Sequence, residues 1–517
     1  MSKVNLDALI PREDFEVTDK ASSGNKKDTI SIEDMKLDSF FITNVRKPDF
    51  QRETNEWEPE KVVEFVESFI NGDLIPAIIL WRSPAGYLFV IDGSHRLSSL
   101  ISWINNDYGD GIASKKFYDG VIDEEQKEIA NATRELMEKR VGSYEDYKLT
   151  LTHPDKVKPE IIRKSKNLGA LAIQLQWVEG DVSKAEDSFF KINQQAAPIN
   201  KTELILLKSR RKPSCIAARA IMKSGKGHKY WSLFSEEKQK EIQELASEIN
   251  RILFSPRLDT PLKTLDIPLC GKISSAQTLP LILGFVNISN NIYDNDEIEN
   301  LSDDKDGSKT IEYLRNTKRI AQRMNSNEPF SLGLHPIVYF YSKTARHKPA
   351  SFLGIVELIR ELENKKQFED FIKVRKDFET ILEKYDYIIQ QINRSFRYAK
   401  KSIKPLLSFY LSIIESLKLN KTCEESVKEA LKIKEFENIS IDPQYLEGQG
   451  DDFSKAVKNL TFIKTYLENA PRCAICGGLI HRNSISFDHI KRIEDSGKGT
   501  ADNAQLTHPY CNTTFKN

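Results

Sequence analysis

Cys473-Ala-Ile-Cys476 and His508-Pro-Tyr-Cys511 gather four metal-seeking side chains into two tight pairs near the end of the sequence. Three thiols and one imidazole, two and two, form the donor set of a closed tetrahedral zinc site. Between the pairs lies Ser486-Phe487-Asp488-His489-Ile490, then Asn503, and Asn512 directly follows the last cysteine. Asp488 and Asn512 offer hard oxygens of the kind that hold Mg2+ or Mn2+. His489 is an imidazole whose ordinary pKa suits it to take a proton from water near neutrality. A base beside a hard divalent cation can hydrolyse a phosphodiester. The bland alternative is that Asp488-His489 merely supports a structural zinc module.

A second group lies far upstream. Val90-Ile91-Asp92-Gly93-Ser94-His95-Arg96-Leu97 sets a charged, glycine-containing turn between an apolar strand and an apolar helix. Backbone N–H groups at a helix start attract an anion, and Gly93 permits its close approach. Ser94 and Arg96 add donors. Asp92 suits either a Mg2+ ligand or the cap of the following helix, and His95 alone also fits a satisfied, half-buried histidine.

Composition sets the frame for these sites. The chain has 517 residues, 76 Lys+Arg against 76 Asp+Glu, and 39% hydrophobic residues. It is long enough for several domains and apolar enough to bury real cores, which excludes global disorder. Zero net charge excludes a uniformly basic coat but not local basic patches. No apolar run is long enough for a membrane span, and the first residues are too charged for a secretory signal. Six cysteines do not make a disulfide scaffold. With half of them in the metal-ligand pattern, a reducing cytoplasm is expected.

The elements that must position the two groups can be placed by pattern. Val62, Phe65, Val66, Phe69 and Ile70 recur at helical spacing over 58–72, and Gly72 stops that helix. Residues 77–81 and 87–91 read as a hairpin around Ser83-Pro84-Ala85-Gly86. A helix starts near Ser94, a strand covers 171–178, and a helix covers 183–192. Residues 111–165 are charged and helical or excursive. The acidic stretch 294–306 reads as a solvated loop. The expected division is a flexible arm over 1–30, an α/β domain over 31–210, a helical middle and recognition region over 211–470, and a small metal-stapled domain over 471–517. The last has too little apolar core to fold without its metal.

Basic residues cluster over 201–229 and again over 394–404. On a helix, Arg394, Arg397 and Lys401 would share one side, a stripe suited to DNA phosphates. Lys491, Arg492 and Lys498 flank the Asp488-His489 motif and could meet phosphates too.

The C-terminal motifs resemble the HNH, or ββα-metal, endonuclease family: the C-x2-C knuckle, Asp488-His489, Asn503-Ala-Gln-Leu506 and His508-x2-Cys511-Asn512. His508 stands where many members have a cysteine. The resemblance implies that Asn503 orders the loop or orients His489. Upstream, Pro48-x-Phe-Gln51-Arg52, Asp92-Gly93-Ser94-His95-Arg96 and Phe189-x3-Asn193 resemble the boxes of the ParB/sulfiredoxin-like domain that opens the GmrSD restriction enzymes. Ser94-His95 departs from the two glutamines frequent there. That resemblance implies binding of a nucleoside triphosphate, with NTP hydrolysis as an additional activity it allows, by Arg52, Asp92, Gly93, Ser94, His95, Arg96 and Asn193. Arg52 and Arg96 would clamp phosphates.

Together these readings predict a predominantly helical α+β chain. Its expected activity is a nucleotide-regulated DNA endonuclease of a restriction or anti-phage type, acting on foreign or modified DNA. The expected cofactors are structural Zn2+, catalytic Mg2+ or Mn2+, and a regulatory NTP. A single site cuts one strand, so a double-strand break needs two protomers in a homo-oligomer or two events. The alternatives are an NTP-switched DNA-binding regulator with a structural zinc module, and an HNH ribonuclease effector.

Overall fold

The computed structural model describes residues 3–13, 26–48, 51, 54–118, 122, 124–196, 201–226, 230–273, 278–396, 401–441 and 453–515. Arg52 and Arg397 lie outside the described residues, as does the side chain of Asn193. The chain divides into two compact units, Met1–Arg210 and Arg211–Asn517.

The first unit is a mixed six-stranded sheet with helices packed on it. In chain order it contains β1 (Arg12–Glu13), β2 (Thr29–Ser31), β3 (Val45–Pro48), α1 (Pro59–Asn71), β4 (Ile78–Arg82), β5 (Leu88–Asp92) and α2 (Ser94–Ile104). There follow α3 (Ile112–Phe117), α4 (Glu124–Arg140), α5 (Tyr144–Leu149), α6 (Pro159–Leu168), β6 (Ala172–Val178), α7 (Val182–Ala196) and α8 (Lys201–Lys208). The sheet order is β1-β3-β5-β4-β6-β2. β4 and β5 form the expected antiparallel hairpin, and β6 runs parallel to β4.

Local chemistry explains the elements around the upstream motif. α1 starts with Pro59 in its first turn, where the missing N–H costs nothing. It buries Val62, Val63, Val66, Phe69 and Ile70. It ends as Gly72 turns left-handed and donates its N–H to Phe69 O at 3.1 Å. The hairpin closes through Ser83 N to Tyr87 O and Gly86 N to Ser83 O, both 2.9 Å. α2 buries Leu97, Leu100, Ile101, Trp103 and Ile104 beneath that hairpin's strands.

The first residues correct an expectation. Residues 3–13 are not a loose arm: Val4, Leu6, Leu9 and Ile10 are buried in the same core as α1 and α2. Asp7, Arg12 and Lys47 are also buried, as one ion cluster. Lys47 Nζ donates to Asp7 Oδ1 at 2.7 Å, and Arg12 pairs with both Asp7 oxygens. Asp7 and Arg12, expected in a flexible arm, are instead paired inside the fold, where the Asp7 carboxylate is shared by Arg12 and Lys47.

The second unit is a helical body that carries a small ββα module. Its helices are α9 (Pro213–Met222), α10 (Glu236–Phe254), α11 (Thr278–Ser289), α12 (Asn295–Asn300), α13 (Ser308–Met324) and α14 (Pro336–Tyr339). They continue as α15 (Pro349–Asn364), α16 (Phe368–Lys384), α17 (Asp386–Ser395), α18 (Ile403–Lys418), α19 (Cys423–Ala430) and α20 (Lys455–Leu467). α11 is apolar nearly all round, so it sits at the centre against α9, α13 and α15. The module adds β7 (Ser486–His489), β8 (Ala504–Thr507) and α21 (Pro509–Thr514). No helix of the described residues is long and apolar enough to cross a membrane.

Two further expectations change here. The acidic stretch 294–306 is not wholly a solvated loop. Part of it is α12, and buried Asp304 accepts hydrogen bonds from Gly307 N, Thr310 N and Thr310 Oγ1 at the start of α13. Residues 394–404 are not one helix. α17 ends at Ser395 and α18 starts at Ile403, so Arg394 and Lys401, both exposed, do not share a helical stripe. The 201–229 cluster is partly neutralised as well. Lys212 pairs with Asp303 at 2.9 Å, and buried Arg219 stacks on the Tyr230 ring.

Candidate active site and metal centre

The ligand atoms of Cys473, Cys476, His508 and Cys511 all lie within 4.8 Å of one another, and all four residues are buried. The knuckle forms because Gly477 adopts φ +69° and returns its N–H to Cys473 O at 2.9 Å, while Cys473 N donates to Gly478 O. Ala474 N then donates to Leu506 O, which ties the knuckle to β8. His508 donates from Nε2 to Leu479 O at 3.0 Å, so Nδ1 is the nitrogen that faces the sulfurs, 3.3 Å from Cys476 Sγ. A backbone carbonyl on the distal nitrogen is how proteins fix a metal-binding tautomer. Hydrogen bonds from Cys476 and Cys511 hold the Cys473 thiol well below its usual pKa. The donor set and its closeness fit zinc.

The proposed catalytic residues stand on the hairpin and helix above this centre. β7 pairs antiparallel with β8, setting Asp488 opposite Gln505 and His489 opposite Ala504. Gln505 Nε2 donates to Asp488 Oδ2 at 3.0 Å. From α21, Asn512 Nδ2 donates to Ser486 Oγ at 2.6 Å and to Phe487 O at 3.0 Å. Ser486 and Asp488 are two residues apart on a strand, so Asn512 and Asp488 share one side of β7. Neither Asp488 Oδ1 nor Asn512 Oδ1 is engaged by a donor among the described residues. His489 is half-buried.

Asn503 sits at the base of the 491–498 loop. Its Oδ1 accepts from Lys491 N at 2.7 Å, and its Nδ2 donates to Lys491 O and Lys498 O. It therefore clamps the 491–498 loop, and it makes no hydrogen bond to His489 among the described residues. Lys491, Arg492 and Lys498 are exposed on that loop.

Sequence reading missed what holds the module. Arg375 and Glu379 of α16 are fully buried beside His508, and Leu479 N donates to Glu379 Oε2 at 3.1 Å. An i, i+4 Arg–Glu pair looks the same on a solvated helix, so the sequence carries no signal for it. His481 is buried, its Nδ1 lies 3.2 Å from Asn325 Oδ1, and burial drives its pKa down to about 4.

In the N-terminal unit, β5 runs into Gly93 at φ +95° and then α2. A Cβ at Gly93 would lie 3.0 Å from Arg96 Nη2 and 3.1 Å from Ile78, so the turn is shaped for glycine. Arg96 donates to Asp92 Oδ2 at 2.7 Å and to Ala77 O at 2.9 Å. Asp92 is thus a partner of Arg96 and caps no helix. Gln51 Nε2 donates to Ser94 Oγ, and His95 stacks on Trp57 and accepts from Glu56 N. Two of the three boxes therefore meet. The third, on α7, packs against β5. Gln51 Oε1 and Arg96 Nε are buried with no hydrogen-bond partner among the described residues, which suits a polar ligand. The Asp7 cluster supports this corner: Arg12 Nε donates to Gln51 O, and Thr54 N donates to Asp7 Oδ1 at 2.9 Å.

Comparison with known families agrees with both motifs. Residues 33–210 match the family model described as the GmrSD restriction endonuclease N-terminal domain, and residues 473–517 match that of the HNH endonuclease. The chain therefore joins a GmrSD-type N-terminal domain to an HNH nuclease domain. These two domains support a restriction-type HNH endonuclease, and nuclease domains of this kind imply DNA as the substrate. Neither curated proteins nor solved structures gave a match.

Proposed function

We propose that the chain is a nucleotide-regulated DNA endonuclease of defence type, with one catalytic metal per active site. The observation that carries this is the placement of Asp488 and Asn512 on one side of β7, each with a hard oxygen that no donor among the described residues claims, with His489 the next residue along the strand. A Mg2+ or Mn2+ ion held there would offset the negative charge that develops at phosphorus and on the leaving oxygen. His489 takes the proton from the attacking water. Asn503 holds the 491–498 loop so that Lys491, Arg492 and Lys498 face phosphates. Zinc, held by the three cysteines and His508, keeps the hairpin and helix in register.

The N-terminal site is the regulatory one in this reading. Gln51 Oε1 and Arg96 Nε, both buried without a hydrogen-bond partner among the described residues, support a polar ligand at the Gly93 turn, and we assign it to a nucleoside triphosphate. Arg52, Asp92, Gly93, Ser94, His95, Arg96 and Asn193 would line it. The helical body over 211–470 is assigned the discrimination of foreign or modified DNA. With one metal per site, each protomer cuts one strand, and a double-strand break takes two protomers or two events.

The test is plasmid cleavage with Mg2+, with and without each NTP, on unmodified and modified phage DNA. Wild type should nick, and one nucleotide should change its rate. Arg96→Ala should keep nicking but weaken that nucleotide's effect by roughly 10–100-fold in concentration, the worth of a charged hydrogen bond. Cleavage of tRNA instead of plasmid, or no cleavage by a zinc-loaded folded chain, would overturn the assignment in favour of a ribonuclease or a binding protein.

A further inference from the structure

The ββα module is seated on the helical body by buried charge. Arg375 has no exposed side-chain surface. Its Nε donates to Glu379 Oε1 at 2.7 Å, its Nη2 donates to Gly333 O at 2.9 Å, and its Nη1 donates to Leu332 O and lies 3.1 Å from His508 Nδ1. Glu379 in turn accepts from Tyr339 Oη at 2.9 Å and from Leu479 N at 3.1 Å. Leu479 follows the Cys473–Cys476 knuckle, and its carbonyl fixes the His508 ring. One ion pair on α16 thus grips both halves of the metal centre.

The approach is too close for any side chain other than hydrogen at two places. A Cβ on Gly333 would fall 2.4 Å from His508 Cδ2, and one on Gly478 would fall 2.6 Å from Arg375 Nε. Tyr510 N donates to Ser331 O at 3.0 Å, so the same strip of the body, 331–333, also holds α21. Charge gives the contact its sense. Three thiolates around a divalent ion leave one negative charge, buried away from water, and a buried charge needs a nearby opposite one. Arg375 supplies it, and Glu379 keeps the guanidinium oriented.

We propose that Arg375 is a positioning residue of the nuclease: with Glu379 it couples zinc binding to the seating of the ββα module on the helical body, so that module and body stay docked only while the metal is held. This rests on the zinc reading of the four-ligand cluster. The nuclease is then not a tethered cassette. Its orientation is fixed by α16, and loss of the metal loosens the 331–333 strip and α16 as well as the module.

The experiment uses the full zinc-loaded chain. Metal analysis comes first: a folded wild type that holds no zinc overturns the zinc reading and this coupling with it. In zinc-holding protein, competition with a chromogenic chelator should show Arg375→Met binding zinc roughly 10–100-fold more weakly, the usual range for outer groups around a metal. Arg375→Lys should recover part of that loss. Asn483→Ala, which removes a docking hydrogen bond to Ser255 O away from the metal, should leave zinc affinity unchanged. DNA nicking by Arg375→Met should fall at limiting zinc and return when zinc is raised, which a purely structural lesion would not allow. A folded Arg375→Met with wild-type zinc affinity overturns the proposal while the zinc reading stands. Hydrogen exchange of the wild type gives a test free of any variant. Stripping zinc should speed exchange at Leu479 and Tyr510 and also along 375–379. Faster exchange confined to 471–515 overturns the coupling.

Discussion

The candidate HNH site would take its key groups from β7, the turn into β8, and α21, all within residues 486–512, next to a buried four-ligand cluster. The N-terminal site is assembled differently. Gln51 meets Ser94 across 43 residues, α7 arrives from still farther along the chain, and the corner rests on a charge cluster that begins at Asp7. Short-range spacing can announce the first kind of site because the metal's geometry dictates it. The second kind depends on which distant segments the sheet brings together, and β3-β5-β4-β6 alternates parallel and antiparallel pairs that no local pattern specifies.

Breaking the four-ligand cluster should have the largest effect. Cys511→Ala should release zinc and abolish DNA cleavage, read by metal analysis and plasmid nicking, while leaving the first unit folded. His489→Ala should sharpen the contrast between scaffold and chemistry. It should retain zinc and lose about 10²–10⁴-fold in cleavage rate, the range for a general base. In the N-terminal unit the equivalent lesion is remote from the Gly93 turn. Asp7→Asn leaves Arg12 and Lys47 under-compensated in the core and should destabilise that unit by about 3–5 kcal/mol in urea unfolding. It should also weaken nucleotide binding without touching a ligand-facing group. If it does neither, the N-terminal site is as self-contained as the HNH site, and the comparison fails.

The smallest effect concerns pH. His481 is held neutral, its pKa lowered by burial from 6.5 to about 4. The unfolded chain therefore binds a proton that the folded chain refuses between those values. The stability associated with it is full above pH 6.5 and is lost as pH falls toward 4, by about 3 kcal/mol. Urea midpoints for the second unit should fall over that window, and His481→Gln should reduce the fall while leaving the share of His335 and His347, whose pKa values burial also lowers. A midpoint independent of pH there would mean that His481 takes up its proton in the folded state.

Much of the architecture was legible wherever one segment's pattern suffices. Gly72 stops α1, Ser83 to Gly86 turns the β4–β5 hairpin, and the alternation of Ile173 and Leu175 with exposed neighbours marks β6. The metal cluster was legible from spacing alone. What failed to show were residues whose environment is set by partners far along the chain. Asp7, Arg12 and Lys47 are charged, and nothing in their local sequence announces the pairing of Asp7 with both cations that lets them be buried. His481 is buried against Asn325, 156 positions away, a pairing that no local pattern announces. Arg394 and Lys401 share a stripe only if one helix spans them, and the break between α17 and α18 ends that.

Gly333 gives the molecule an evolutionary constraint. With φ +61° and a neighbouring imidazole closer than any methyl group could come, it belongs to the helical body yet is shaped by a histidine of the nuclease. A foreign ββα module recombined onto this body would have to bring an equally flat surface at the ring and accept the charge of Arg375. Exchange of nucleases by gene fusion at residue 470 would therefore fail unless 331–333 and α16 were inherited with the new module, so the unit of heredity here is larger than the unit of catalysis.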